Sequence, residues 1–317
     1  MRYLSLCGLA AIAVASPARG QHNWPTEIAF MECTLKNQGK LKGESTEGKH
    51  KDAFELRDFA ASADGKSFTI ATGVDALPQF LMALSTKEVI THCRIEIEKR
   101  DPNPNPPPHS PPWVVAEIVT LANARFSDVT LLVDPPKEAM VQLTLTTAGG
   151  KVDHVDNHGV PISAFPTIDD EKVGSTRIDA DFTVNGAHVQ AGKTKSGGDF
   201  KLKSILWTAE SPAGAFDIGP LLFSMTENAS ADAVTGVAKT GAQLKGTKLT
   251  IFHQPIAKAL DEAFISIELV DAAVTSENQT APTAHSASGN SARSDDFTVK
   301  VLHVRVNNLV RKTEFVQ

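Results

Sequence analysis

The chain has 317 residues, enough for two ordinary domains with their own cores. Apolar residues make up 41% and charged residues 21%, a globular balance that excludes a disordered chain. A net charge of −6 gives no electrostatic basis for binding nucleic acid or an anionic membrane, and one Tyr with three Trp leave little for a stacking surface.

Residues 1–20 read as a secretory signal peptide. Arg2 supplies the positive start, Leu4 to Val14 the apolar run, and Ala13, Ala15, Ala18 and Gly20 the small residues around cleavage. A buried N-terminal strand is the alternative. The run is too short to span a bilayer, so no membrane span is expected after cleavage, and the mature protein is expected to be periplasmic or extracellular.

Short β-branched, often alternating segments then follow: Glu27–Leu35, Ala53–Phe59, Ser67–Ala71, Thr91–Lys99, Val114–Leu121 and Met140–Thr147. Between the third and fourth, Val74–Leu84 spaces Leu77, Phe80, Leu81 and Leu84 as a helix does, with Pro78 in its first turn. Asp101–Pro112 is proline-rich and predicts a stiff extended loop. Residues 151–176 lack periodicity and read as a linker between domains at 21–150 and 177–317.

The second domain repeats the pattern with strands at Ile178–Val184, Phe200–Thr208, Ala215–Ile218, Lys248–His253, Ala263–Val270 and Asp296–Val306, and a helix at Ala229–Ala238. Ser276–Ser294, poor in large apolar residues, reads as a mobile loop. Matched segments support a tandem repeat. Gly48-Lys49-His50-Lys51 with Phe54-Glu55-Leu56 returns as Gly192-Lys193-Thr194-Lys195 with Phe200-Lys201-Leu202. Phe68-Thr69-Ile70 matches Phe216-Asp217-Ile218, Ile118 to Ala122 matches Ile267 to Asp271, and Val141-Gln142-Leu143 matches Val299-Lys300-Val301. The separation grows along the chain, as longer loops in a second copy would produce. Many short strands with one helix per copy predict a mainly β architecture, a barrel or sandwich closed by a helix.

Cys33 and Cys93 fall on predicted strands. In an oxidising compartment they are candidates for a disulfide, while two separate buried thiols is the reading favoured, because sequence does not set their Cα separation.

No catalytic, cofactor or metal site emerges. His154 and His158 are spaced for a helical metal pair, but Asn157 and Gly159 oppose a helix and no third ligand is near. Asp169-Asp170-Glu171 lacks oxygen donors at the later positions a calcium loop needs. His50 beside Lys51 and Asp52 suggests acid–base work only weakly, since no nucleophile accompanies it. Elbow, phosphate-loop and paired-cysteine motifs are absent from the sequence.

The stretch Gly43-Glu44-Ser45-Thr46-Glu47-Gly48-Lys49-His50-Lys51-Asp52-Ala53-Phe54-Glu55-Leu56 resembles the signature loop and strand of the Hcp family, the tube proteins of type VI secretion. Phe68-Thr69-Ile70 and Asp75-Ala76-Leu77-Pro78 leading into Phe80–Leu84 resemble that family's next strand and single helix. The resemblance covers about Ile28 to Thr147, and reaches the second domain only through the repeat. After Leu56 the family continues with alternating Ser and Gly, and Arg57–Ser62 departs from this.

The resemblance implies two tandem Hcp-like β-barrels, each with one short helix, in a non-enzymatic structural protein without cofactor. It implies self-association into a ring, pseudohexameric if three chains join, with Glu44, Ser45, His50, Lys51 and Asp52 in the assembly loop. Protein cargo or secretion-system components are the partners it implies. Family members assemble in the cytoplasm, so an exported chain points to a repurposed use. A monomeric periplasmic or cell-surface binding module on the same barrel is the competing expectation.

Overall fold

The computed structural model describes residues 27–46, 48–100, 113–147, 150–154, 160–161, 175–184, 186–189, 200–211, 215–226, 232, 234–236, 243–254, 262–280 and 294–317. Residues 1–20 (read as a signal peptide), the proline-rich stretch, the acidic cluster near Asp169 and the Gly192–Lys195 half of the repeat lie outside these residues.

The first unit comprises β1 (Glu27–Leu35), β2 (Gly39–Lys40), β3 (Phe54–Ala61), β4 (Ser67–Gly73), helix α1 (Leu77–Ser85), β5 (Ile90–Arg100), β6 (Trp113–Leu121), β7 (Arg125–Val133), β8 (Met140–Thr146), β9 (Gly150–His154) and β10 (Val160–Pro161). β1 lies between β3 and β5; β3 pairs with β4, β4 with β8, and β8 with β7. β7 returns to β5 through the Ile90–Ala124 bridge, which closes a barrel. β6 extends the sheet from β5, and β9 and β10 add to β6.

Alternation puts Met31, Cys33, Phe54, Phe68, Ile70, Ile95, Val129, Leu131, Val141 and Leu143 inside. α1 begins with Pro78 near its N-terminus, buries Leu77, Phe80, Leu81 and Leu84, and ends at Thr86 ahead of Lys87, whose φ is +54°. Phe80 fills the barrel end between Phe54 and Phe126, at ring separations of 5.1 and 5.5 Å.

The second unit comprises β11 (Ser175–Asp181), β12 (Thr183–Val184), β13 (Ala187–His188), β14 (Phe200–Glu210), β15 (Asp217–Thr226), β16 (Thr247–Gln254), β17 (Glu262–Thr280), β18 (Ser294–Asn308) and β19 (Thr313–Val316). The cycle β11–β14–β15–β18–β17–β16 closes completely through paired strands. Its order matches the first barrel, with β17 in place of both β6 and β7. Bulges recur at matched positions: Leu56/Asp58 in β3 against Leu202/Ser204 in β14, and Phe126/Asp128 in β7 against Val274/Ser276 in β17. Phe182, Phe200, Phe223 and Phe297 form its aromatic interior.

This register revises the repeat alignment. Phe54 and Phe200 are equivalent, as expected, since each faces the residue that pairs with the central strand (Met31 and Ala180). Phe68, however, lies opposite Ala61 as Leu221 lies opposite Trp207, so its counterpart is Leu221, not Phe216. Leu143 corresponds to Phe297 through their partners Ile70 and Phe223, which displaces the Val141–Val299 match. The match at Ile118 shifts by one position, because Val119 and Ile267 hold the same place.

Four further expectations change. β7 was not foreseen, and β17 runs on to Thr280 instead of ending at Val270. The stretch read as a linker contains β9 and β10, paired with β6, and Ser175–Thr176 open β11. Of the expected mobile loop, 276–280 is strand and Ser294 starts β18. Of the second helix, Asp232 and 234–236 are helical and the remainder lies outside the described residues.

The barrels join edge to edge. β7 of the first pairs with β14 of the second, Val133 opposite Ile205 through Asp128 opposite Glu210. One 17-stranded sheet therefore runs through both barrels, and their apolar interiors merge across Leu131, Val133, Ile205 and Trp207.

Candidate functional site

The signature loop folds back onto its own barrel. Gly43 N–H donates to the Asp52 carbonyl, Ser45 N–H to Ala53, Asp52 N–H to Ser45 and Ala53 N–H to His50, at 2.8 to 3.0 Å. Asp52 takes φ +65°, a left-handed value Asp tolerates, and this turn is its role. A Cβ on Gly43 would collide with the Ala53 carbonyl, so only glycine permits this closure.

Beneath the loop, the outward faces of β1 and β6 form a small second core from Ile28, Phe30, Trp113 and Val115 with Ala53. His50 is buried and stacks flat on Phe30, with ring centres 4.1 Å apart. Its Nε2 lies 2.9 Å from Glu98 Oε1 and 3.8 Å from Glu96 Oε1. Glu96 and Glu98 are buried on the outward face of β5, opposite Phe30 and Ile28 of β1.

Lys49 Nζ donates to Glu96 Oε1 and stands 3.7 Å from Glu98 Oε1, while Arg94 Nη2 reaches Glu96 Oε2 at 2.5 Å. Burial raises the Glu96 pKa, but the hydrogen bonds from Lys49 and Arg94 outweigh it and hold the carboxyl below its ordinary value. Glu98 Oε2 is buried without a hydrogen-bond partner among the described residues.

The other end of the loop meets the second barrel. The Arg311 guanidinium donates to the Lys42 and Gly43 carbonyls and faces Asp75 at 3.8 Å. Asn308 Oδ1 accepts the Val310 and Arg311 N–H groups, and its Nδ2 donates to the Asp75 carbonyl at 2.6 Å. Glu44 turns inward here. Its Oε1 accepts the Glu55 N–H and the Thr72 hydroxyl, each at 3.2 Å. Loss of hydration pushes its pKa up to about 7, and burial likewise raises Asp75.

The expected assembly residues are therefore dispersed. Glu44 turns onto β3 and β4 of its own barrel, Ser45 and His50 are buried within the chain, Asp52 shapes the turn, and only Lys51 is exposed. Within the chain, the loop packs against its own barrel. His50 faces Glu98 rather than Asp52, so the weak acid–base reading has no geometry behind it.

Glu96 and Glu98 escaped the sequence reading. Their signal was two acidic residues on the outward face of a strand whose other face carries Cys93, Ile95 and Ile97. Cys33 and Cys93 are register partners with Cα atoms 4.0 Å apart and are bonded at 2.02 Å, in place of two separate thiols. Among the described residues, no helix is long and apolar enough to cross a membrane.

No family model matches the chain, and no curated protein matches it either. Solved structures that it resembles are Hcp and type VI secretion proteins. A crystal structure of an Hcp protein is 15% identical, with 45% of this chain and 97% of that one aligned at a TM-score of 0.41. Hcp1 from Escherichia coli EAEC 042 is 12% identical, with 45% and 96% covered at 0.37. The secreted protein Hcp3 from Pseudomonas aeruginosa is 17% identical, with 43% and 95% covered at 0.33.

Proposed function

We propose that this is an exported, non-enzymatic structural protein that self-associates head to tail through barrel edges, three chains completing a six-barrel ring. The observation that carries the reading is the β7–β14 seam. It joins two different edges, a β7-type edge on one barrel and a β3-type edge on the next. Such a heterologous contact leaves one edge of each type over, and copies that repeat it close into a ring or run on as a filament.

Both leftover edges are present. On the β1 side of β3, Arg57–Ala61 have no strand partner among the described residues, and neither does β17 beyond Ala273 on its β16 side. The Hcp-like signature of the first barrel agrees with this reading. Secretion-system components or protein cargo would be its partners.

A monomeric binding module is the second reading, and the chemistry of the same edges favours it. β3 ends at Ala61 where β14 continues to Glu210. Glu277-Asn278-Gln279-Thr280 stand where β7 has Val129-Thr130-Leu131-Leu132, so the outer edge is far more polar than the seam. Native mass spectrometry of the mature protein separates the two. A three-chain species is expected; a strict monomer at high concentration would leave the binding module.

A further inference from the structure

We propose that His50, Glu96 and Glu98 form a binding site for one divalent transition-metal ion of the Zn2+ class, with the Lys49 ammonium as its resident stand-in. One donor atom from each of the three buried side chains lies within 4.8 Å of the others. The His50–Glu98 and His50–Glu96 separations, 2.9 and 3.8 Å, bracket the edge of about 3.3 Å that tetrahedral ligands at Zn–N and Zn–O distances require. An imidazole with two carboxylates suits Zn2+ and its neighbours better than the all-oxygen preference of Ca2+ or Mg2+.

Three independent features point to a ligand beyond the cluster itself. Glu98 is fully buried, yet its Oε2 has no partner among the described residues, and an ion chelated by both Glu98 oxygens would satisfy it. His50 is pre-oriented by its stack on Phe30, which lowers the ordering cost of coordination. Finally, the barrel does not need a pair of carboxylates on this central strand. In the second barrel Thr250 and Phe252 hold the register positions of Glu96 and Glu98, opposite Asp179 and Arg177.

Lys49 already occupies the cation position, touching Glu96 and lying 3.7 Å from Glu98. Its side chain is one-third exposed on a flexible stem, so it can swing to solvent and exchange with an entering ion. Arg94 stays on Glu96 Oε2 and leaves Oε1 for the metal.

The test is Zn2+ titration of the full chain by calorimetry, with bound metal counted after dialysis. One saturable equivalent per chain is expected, and Lys49→Met should tighten it roughly tenfold by removing a competing charge. His50→Gln and Glu98→Gln should each abolish it, while binding carried by exposed His92 or His303 would survive both. Circular dichroism and the unfolding midpoint establish that each variant folds. Should Glu98→Gln not fold, Co2+ absorption supplies the second readout, with tetrahedral visible bands expected in Lys49→Met and lost in His50→Gln. Absence of saturable binding in both the native chain and Lys49→Met, or binding undiminished in His50→Gln, would overturn the proposal.

Discussion

The two barrels share strand order and bulges but differ in what covers the outward face of their central strand pair. In the first, β1 and β5 present Phe30, Glu96 and Glu98 beneath a folded-back loop carrying Lys49 and His50. In the second, the same positions carry Asp179, Thr250 and Phe252, and Arg177 stacks over Phe252 at 4.2 Å. The interiors differ in parallel: a disulfide joins β1 to β5, whereas the next positions in register between β11 and β16 are Phe182 and Thr247. One backbone plan thus tolerates either a buried histidine–carboxylate cluster with a covalent link, or an Arg177–Asp179 ion pair stacked on Phe252 with one buried hydroxyl beneath. The fold fixes where the strands run, and among the described residues the His50–Glu96–Glu98 cluster has a counterpart of different chemistry in the second barrel.

The seam gives the largest test of this contrast. Trp207 is buried between Leu131 and Leu221, while Ala61 at the same place in the first barrel is exposed. Trp207→Ala should cost about 3–5 kcal/mol in denaturant unfolding, and Ala61→Ser under about 0.5 kcal/mol. Equal small costs would mean that the seam is not part of the core. Trp207→Phe should be mild, since the indole N–H has no partner among the described residues.

The disulfide comes next. It closes a loop with a sequence separation of 60, so Cys33→Ala with Cys93→Ala should lose about 2–4 kcal/mol. Hydrogen exchange should show the loss in β1 and β5 while β11 and β16 keep their protection. Equal loss in both barrels would show that they unfold as one unit.

How much of this was legible beforehand follows from strand phase. β5 and β8 alternate in sequence, β1 and β6 are dense in β-branched and apolar residues, and the positions of all four were readable to within one or two residues. β7 was missed because its bulge at Phe126/Asp128 breaks the alternation that would have marked Phe126, Val129, Leu131 and Val133 as one face. The same bulge in β17, with others at Leu269–Ala272, hid the strand beyond Val270. The seam was invisible for that reason, since β7 is half of it. The candidate site was half legible: the loop residues stood out, but Glu96 and Glu98 are recognised only once β5 is folded under that loop.

Glu44 lies under the loop against β3 and β4. Its folded pKa of about 7 lies above the ordinary 4.5, so the folded state holds a proton that the unfolded chain releases between those values. Stability from this group is therefore present at low pH and is lost as pH rises from about 4.5 through 7. Glu44→Gln should remove that loss and stabilise the chain at pH 8 by about 2 kcal/mol, with little gain at pH 4. Unfolding curves at the two pH values give the comparison, and a gain of equal size at both would assign the effect to packing.

The smallest effect concerns the outer surface of the seam. Thr130 and Thr208 lie directly opposite across β7 and β14, with hydroxyl oxygens 3.0 Å apart. Either Thr→Val change alone should cost about 0.5–1 kcal/mol, because the remaining hydroxyl keeps only water as a partner. Valine suits a half-buried strand, so the double variant should regain part of that loss, giving a coupling of about 0.5 kcal/mol in a double-mutant cycle. Strict additivity would mean that the two barrels touch there without recognising each other, and would confine the energetic link between them to the apolar side of the sheet.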